Sequence, residues 1–173
     1  MKRFYSICML VLSAALGAQA YTNVLENGTS QTVTNNWNLP GTNIWVGNLT
    51  SSNSLDIING GSVTNLNTII GGASTSLFNT VTVSGTNASW FSQGNLTVGD
   101  AGSSNNLVVS DGARIENFGG SVGFSSNATG NTATIDGEGS LWANTSDLAV
   151  GVSGSGNRLE IINGGTVSVS YTH

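Results

Sequence analysis

The sequence predicts an all-β chain wound as a parallel β-helix, and three observations carry that prediction. Leu55, Leu107 and Leu159 open the related runs LDIINGGSV, LVVSDGARI and LEIINGGTV, each 52 residues after the last. Two finer markers run inside that period. Asn53, Asn79, Asn105, Asn131 and Asn157 recur every 26 residues, while Gly47, Gly71, Gly99, Gly123 and Gly151 recur at alternating intervals of 24 and 28. Finally, apolar residues stand at i and i+2 and are rich in β-branched types, with no helical spacing. A fixed period of this kind marks stacked repeats, each one supersecondary unit that cannot bury its apolar face alone.

Taken in order, the chain begins with the three parts of a secretory signal: Lys2 and Arg3, the apolar run Phe4 to Leu16, and Ala18-Gln19-Ala20. The run is shorter than the roughly 20 apolar residues that span a bilayer as a helix. Cleavage is expected after Ala20, so residues 1–20 are a leader, and Cys8, the only cysteine, leaves with it. The mature chain then has no disulfide and no thiolate metal site. Residues 21–43 are a degenerate lead-in, with strand character at Thr32 to Thr34 and Trp37 and a turn at Pro40-Gly41. They are expected to form an N-terminal cap, since the end repeats of solenoids are atypical.

The repeat lattice occupies 44–173, in units of about 44–67, 68–95, 96–119, 120–147 and 148–173. Each holds three short strands between Gly, Asn and Ser turns; in the third unit they fall at Leu96 to Val98, Leu107 to Val109 and Ala113 to Ile115. About five three-strand coils of 24 or 28 residues follow, right-handed by analogy with parallel crossovers. Stacking places Val46, Ile70, Val98, Val122 and Val150 in one inward column, and Ile57, Val83, Val109, Ile135 and Ile161 in another. The recurring asparagines either form an amide ladder at a corner or act as independent turn formers.

The run Leu148 to Asn157, continuing through Leu159 to Val167, resembles the bacterial repeat associated with autotransporter (type V secretion) and PEP-CTERM proteins. The piece Asn79 to Trp90 resembles the alternate half of that repeat, and the resemblance covers most of 44–167. It implies extracellular or surface β-helical stalks and passengers, not a defined activity. The chain departs from full-length members in lacking a translocator barrel, a C-terminal hydrophobic anchor and a basic tail, so it is expected to be either a fragment or a released protein.

Charge narrows the partners. After leader removal two arginines face nine carboxylates, a net charge of −7. With no basic patch, nucleic acid is not an expected partner. Asp56 and Glu160 share an outward column but lie four coils apart, roughly 19 Å at strand spacing, beyond the roughly 5–9.5 Å of glycosidase carboxylates. A tighter candidate is the corner holding Asp111, Asp136 and Glu138 with Arg114 nearby, where a lyase would use carboxylates for Ca²⁺ and Arg as base. The competing reading makes Asp111-Gly112 and Asp136-Gly137 turn formers, with Arg114 paired to Glu116 or Asp111.

Other chemistry lacks its parts. His173 is the only histidine, so no histidine triad or zinc site can be assembled from the chain. The glycine-rich Gly99 to Ser103 lacks the context of a phosphate cradle. Asp100 sits near glycines without the GGxGxD spacing of calcium-binding nonapeptides. Asn-x-Ser/Thr sites at Asn48, Asn87, Asn95, Asn127 and Asn144 matter only in a eukaryotic secretory pathway. Trp90 and Trp142 take equivalent places in the long coils and either pack inside or stack on sugars. The expectation is a secreted or cell-surface structural or adhesive β-helix, without catalysis, cofactor, metal or integral membrane segment in the mature chain. Glycans or cell-surface components are the expected partners, with self-association through an open C-terminal coil. The alternative is a polysaccharide lyase or hydrolase using the Asp111/Asp136/Glu138 corner.

Overall fold

A computed structural model describes residues 21–170; the expected leader 1–20 and residues 171–173 lie outside them. The first coil contains β1 (Tyr21–Leu25), β2 (Ser30–Val33) and β3 (Asn36–Asn38). The second contains β4 (Thr42–Val46), β5 (Ser54–Ile58) and β6 (Ser62–Asn65), and the third β7 (Thr68–Ile70), β8 (Thr80–Ser84) and β9 (Ser89–Ser92). In the fourth are β10 (Leu96–Val98), β11 (Asn106–Ser110) and β12 (Arg114–Asn117), and in the fifth β13 (Gly120–Val122), β14 (Thr132–Asp136) and β15 (Leu141–Asn144). The last holds β16 (Leu148–Val150), β17 (Arg158–Ile162) and β18 (Thr166–Val169). Corresponding strands of successive coils form three six-stranded parallel sheets, so the described chain is an all-β solenoid without a helix.

Register follows the sequence period. Val46, Ile70, Val98, Val122 and Val150 are successive partners in the first sheet. In the second, Ile57, Val83, Val109, Ile135 and Ile161 are successive partners. Strand side chains alternate between faces, so every second residue joins an inward column, and Leu55, Val81, Leu107 and Ala133 form a further buried column beside that of Ile57. Val46 through Val122 and Ile57 through Ile135 are all fully buried. The last members differ: Val150 is 44% exposed and Ile161 49%, because no described coil covers their far side. Each fully buried Ile or Val contributes roughly 1.5–3 kcal/mol, which lets a chain with few large apolar side chains hold a dry core.

Within residues 21–43, expected as a cap, β1 to β3 follow the same three-strand plan and hold the terminal place in every sheet, while Thr42 and Asn43 already belong to β4. Their first corner is short, spanning only 26–29. There the Glu26 carboxylate does the work of a missing loop backbone. It accepts hydrogen bonds from the backbone N–H groups of Asn48 (2.7 Å), Leu49 (2.7 Å) and Thr50 (2.9 Å), and from the Thr50 hydroxyl. In the later coils those loop donors find carbonyls of the preceding coil instead, as when Gly72 N–H donates to Gly47 O and Phe124 N–H to Gly99 O.

Candidate functional site

The recurring asparagines form a continuous ladder. Each Oδ1 accepts from both the backbone N–H and the Nδ2 of the asparagine one coil earlier: Asn53 to Asn79 (3.0 and 2.8 Å), Asn79 to Asn105 (3.0 and 2.8 Å), Asn105 to Asn131 (2.9 and 3.0 Å) and Asn131 to Asn157 (2.9 and 3.0 Å). Thr29 N–H adds one more rung by donating to Asn53 Oδ1 at 3.1 Å. Asn53, Asn79, Asn105 and Asn131 are buried, so these amides satisfy groups that would otherwise be stranded away from water.

The candidate acidic corner is divided among local partners. Asp111 has a left-handed backbone, φ 56°, followed by Gly112 at φ 78°. Asn59-Gly60 and Asn163-Gly164 share that geometry, with φ 52° and 79°, and 51° and 87°. Asx-Gly pairs suit such turns because Asn, Asp and Gly tolerate positive φ best. The Asp111 carboxylate accepts from Ser84 Oγ of the preceding coil (2.6 Å) and from Ser110 Oγ (3.1 Å). Those hydroxyls, Ser84 first, hold its pKa below the usual carboxylate value. Asp136 instead turns to the following coil, where Asn163 Nδ2 donates to its Oδ1 at 2.7 Å. Glu138 lies over Gly164 of that same coil, and Arg114 is paired with Glu116 on its own strand. Among the described residues no three His, Cys, Asp or Glu side chains gather into a metal-holding group.

The two equivalent tryptophans are core residues. Trp90 and Trp142 are fully buried, and each indole N–H donates to an asparagine one coil earlier: Trp90 to Asn65 Oδ1 at 2.8 Å, Trp142 to Asn117 Oδ1 at 2.6 Å. Neither is placed to stack on a sugar. Asn65 and Asn117 are themselves buried, as the last residues of β6 and β12 in the third sheet, and Asn117 Nδ2 continues to Asn144 Oδ1 at 2.8 Å.

Sequence reasoning passed over the outer face of the first sheet, which forms a trough running across the coils. Its floor is the column Trp45, Ile69, Thr97, Ser121 and Ala149, successive partners in the ladder. Two concave stretches share Asn95 and Thr97 and so join into one. One bank carries Asn43, Asn67, Asn95 and Asp147; Phe118 rises beside it, and Phe124 and Val152 form the opposite bank. Phe118 and Phe124 are 55% and 49% exposed.

A second, shorter amide ladder shapes the first bank. Asn67 N–H and Nδ2 donate to Asn43 Oδ1 (3.2 and 3.0 Å), and Asn95 N–H donates to Asn67 Oδ1 (2.9 Å). At the next coil the column holds Gly119, and the ladder stops. The Asn95 amide is left exposed, with no side-chain hydrogen bond among the described residues. The signal for this bank was present as Asn at 43, 67 and 95, spaced 24 and 28. Comparison with known protein families, curated proteins and solved structures finds no match to this chain.

Proposed function

We propose that the chain is a secreted or cell-surface β-helix with a structural or adhesive role, passenger- or stalk-like and non-catalytic. The observation that carries this reading is the unbroken amide ladder from Asn53 to Asn157, which ties successive coils into a stiff rod at one corner. The leader-like residues 1–20 and the resemblance of 148–167 to autotransporter- and PEP-CTERM-associated repeats support export. N-terminal sequencing of the exported protein should read from Tyr21. Glycans or other cell-surface components suit the polar outer faces as partners.

The test is adhesion without turnover. Purified protein should bind cells or a polysaccharide panel while releasing neither reducing ends nor unsaturated products. One observation favours the enzyme reading: a shallow polar hollow at the corner, lined by Asn59, Ser84, Thr86, Asn87 and Asp111. Turnover that is lost in Asp111→Ala and Asp136→Ala would establish that reading and end the non-catalytic one.

A further inference from the structure

We infer that the trough on the first sheet binds a linear glycan carrying free amino groups, laid across the strands with its sugar rings against Phe118 and Phe124. The inference deepens the adhesive reading and rests on it. The trough is open at both ends and repeats its floor once per coil, at about 4.8 Å per step. That geometry suits an extended polymer whose units are of similar length. A peptide has no strand edge to join there, because the inner strands of this sheet are hydrogen-bonded on both sides.

The chemistry along the banks matches an amino sugar in three ways. Phe118 and Phe124 stand exposed on opposite sides of Ser121 and offer flat apolar faces to the C–H side of a ring. The exposed Asn95 amide offers a donor and an acceptor to ring hydroxyls. Asp147, exposed on the same bank, is the one charged residue of the lining, and its carboxylate makes no ion pair among the described residues. Both arginines are engaged elsewhere, with Glu116 and Glu160 on the third and second sheets. A negative trough on a chain of net charge −5 repels uronate or sulfated glycans and attracts an ammonium.

The probes are a glucosamine hexamer, its fully N-acetylated counterpart, a galacturonate oligomer and hexalysine, each titrated calorimetrically against the mature protein. The glucosamine hexamer should bind most tightly, the acetylated form more weakly and galacturonate not at all. Phe118→Ala and Asp147→Asn should each weaken glucosamine binding about tenfold, the loss of one stacking or charge contact. Because both side chains are exposed, neither variant should shift the thermal midpoint. Equal affinity for hexalysine with no effect of Phe118→Ala would reduce the trough to a nonspecific cation attractor and overturn the proposal. Unchanged adhesion of a Phe118→Ala/Asp147→Asn protein to cells would overturn the trough while leaving the adhesive reading intact. Wild-type protein that adheres to nothing would remove both.

Discussion

Gly99 keeps open the space that the amide of Asn131, one coil on, occupies: a Cβ built on Gly99 would lie 2.2 Å from Asn131 Nδ2. Gly99 also has φ 75°, where an L side chain is strained. The glycine and asparagine markers are therefore two halves of one contact between neighbouring coils. Gly99→Ala should cost at least about 2 kcal/mol from overpacking and backbone strain together. Asn131→Ala should cost a comparable amount, by stranding the buried Asn105 N–H and leaving its Nδ2 only the longer bond to Ser76 O. In the double variant the methyl enters the space the amide vacated, so its loss should be smaller than the sum of the two single losses. Urea unfolding of the four proteins measures that coupling; strict additivity would mean the two residues do not share the space.

Val109 is fully buried between Val83 and Ile135. Val109→Asp, and likewise Leu107→Asp, would place a carboxylate where no donor waits. The cost should reach several kcal/mol, enough to unfold a domain of ordinary stability. Circular dichroism of the purified variants, and their yield, provide the check. A native melting curve for either would contradict the dry interior.

What the sequence made legible was whatever repeats with a period and differs from its background. The 52-residue echo of Leu55, Leu107 and Leu159 and the i, i+2 apolar pattern lead directly to parallel sheets and inward columns. The ladder of Asn53 to Asn157 stood out because its spacing never varies. The bank of Asn43, Asn67 and Asn95 did not, because it has only three members, alternates 24 with 28, and lies in a chain where Asn is common. The indole bonds from Trp90 and Trp142 were equally hidden: a spacing of 25 residues to Asn65 and Asn117 follows no marker. The division of the acidic corner was hidden for a related reason. Asp111 and Asp136 sit at neighbouring levels, yet one carboxylate turns to the coil before and the other to the coil after.

Glu26 holds three backbone N–H groups of the next coil's loop with charge-assisted hydrogen bonds. Glu26→Ala should free all three and loosen residues 21–53 first. The expected loss is about 1–3 kcal/mol, discounted where water can reach the loop. Hydrogen exchange localises it: Asn48, Leu49 and Thr50 should exchange faster while the amides of β11 keep their protection. Unchanged exchange at those three positions would show that water replaces the carboxylate without penalty.

Acid should act on two aspartates in opposite directions. Burial raises the Asp100 pKa above its ordinary value, so the charged form costs stability at neutral pH and protonation relieves that cost as pH falls through the raised value. Hydrogen bonds from Ser84 and then Ser110 lower the Asp111 pKa, so its contribution is present above the ordinary carboxylate value and is lost as pH falls through the lowered one. Asp100→Asn should therefore raise the melting temperature at pH 7 and lose that advantage in acid. Asp111→Asn, which keeps a residue suited to the turn, should lower it slightly at pH 7 and match the wild type once Asp111 is protonated. Melting curves at neutral and strongly acidic pH decide both signs.

The last described coil carries the final prediction. Val150, Ile161 and Val169 stand 44%, 49% and 46% exposed, although Val122 and Ile135, their partners' level in the first two sheets, are fully buried by the coil that follows. The outer edges of β16, β17 and β18 also present backbone groups unpaired by any described strand. Apolar side chains on an unpaired edge are a template for another chain. A polypeptide of residues 21–173 is therefore expected to associate through this end, with the sedimentation coefficient rising with concentration. Val150→Lys together with Ile161→Lys should abolish the rise, since a charged edge blocks pairing, while leaving the buried columns of the earlier coils in place. Sedimentation velocity on both proteins distinguishes the cases: a wild type that stays monomeric across the micromolar range would mean water covers this end well enough.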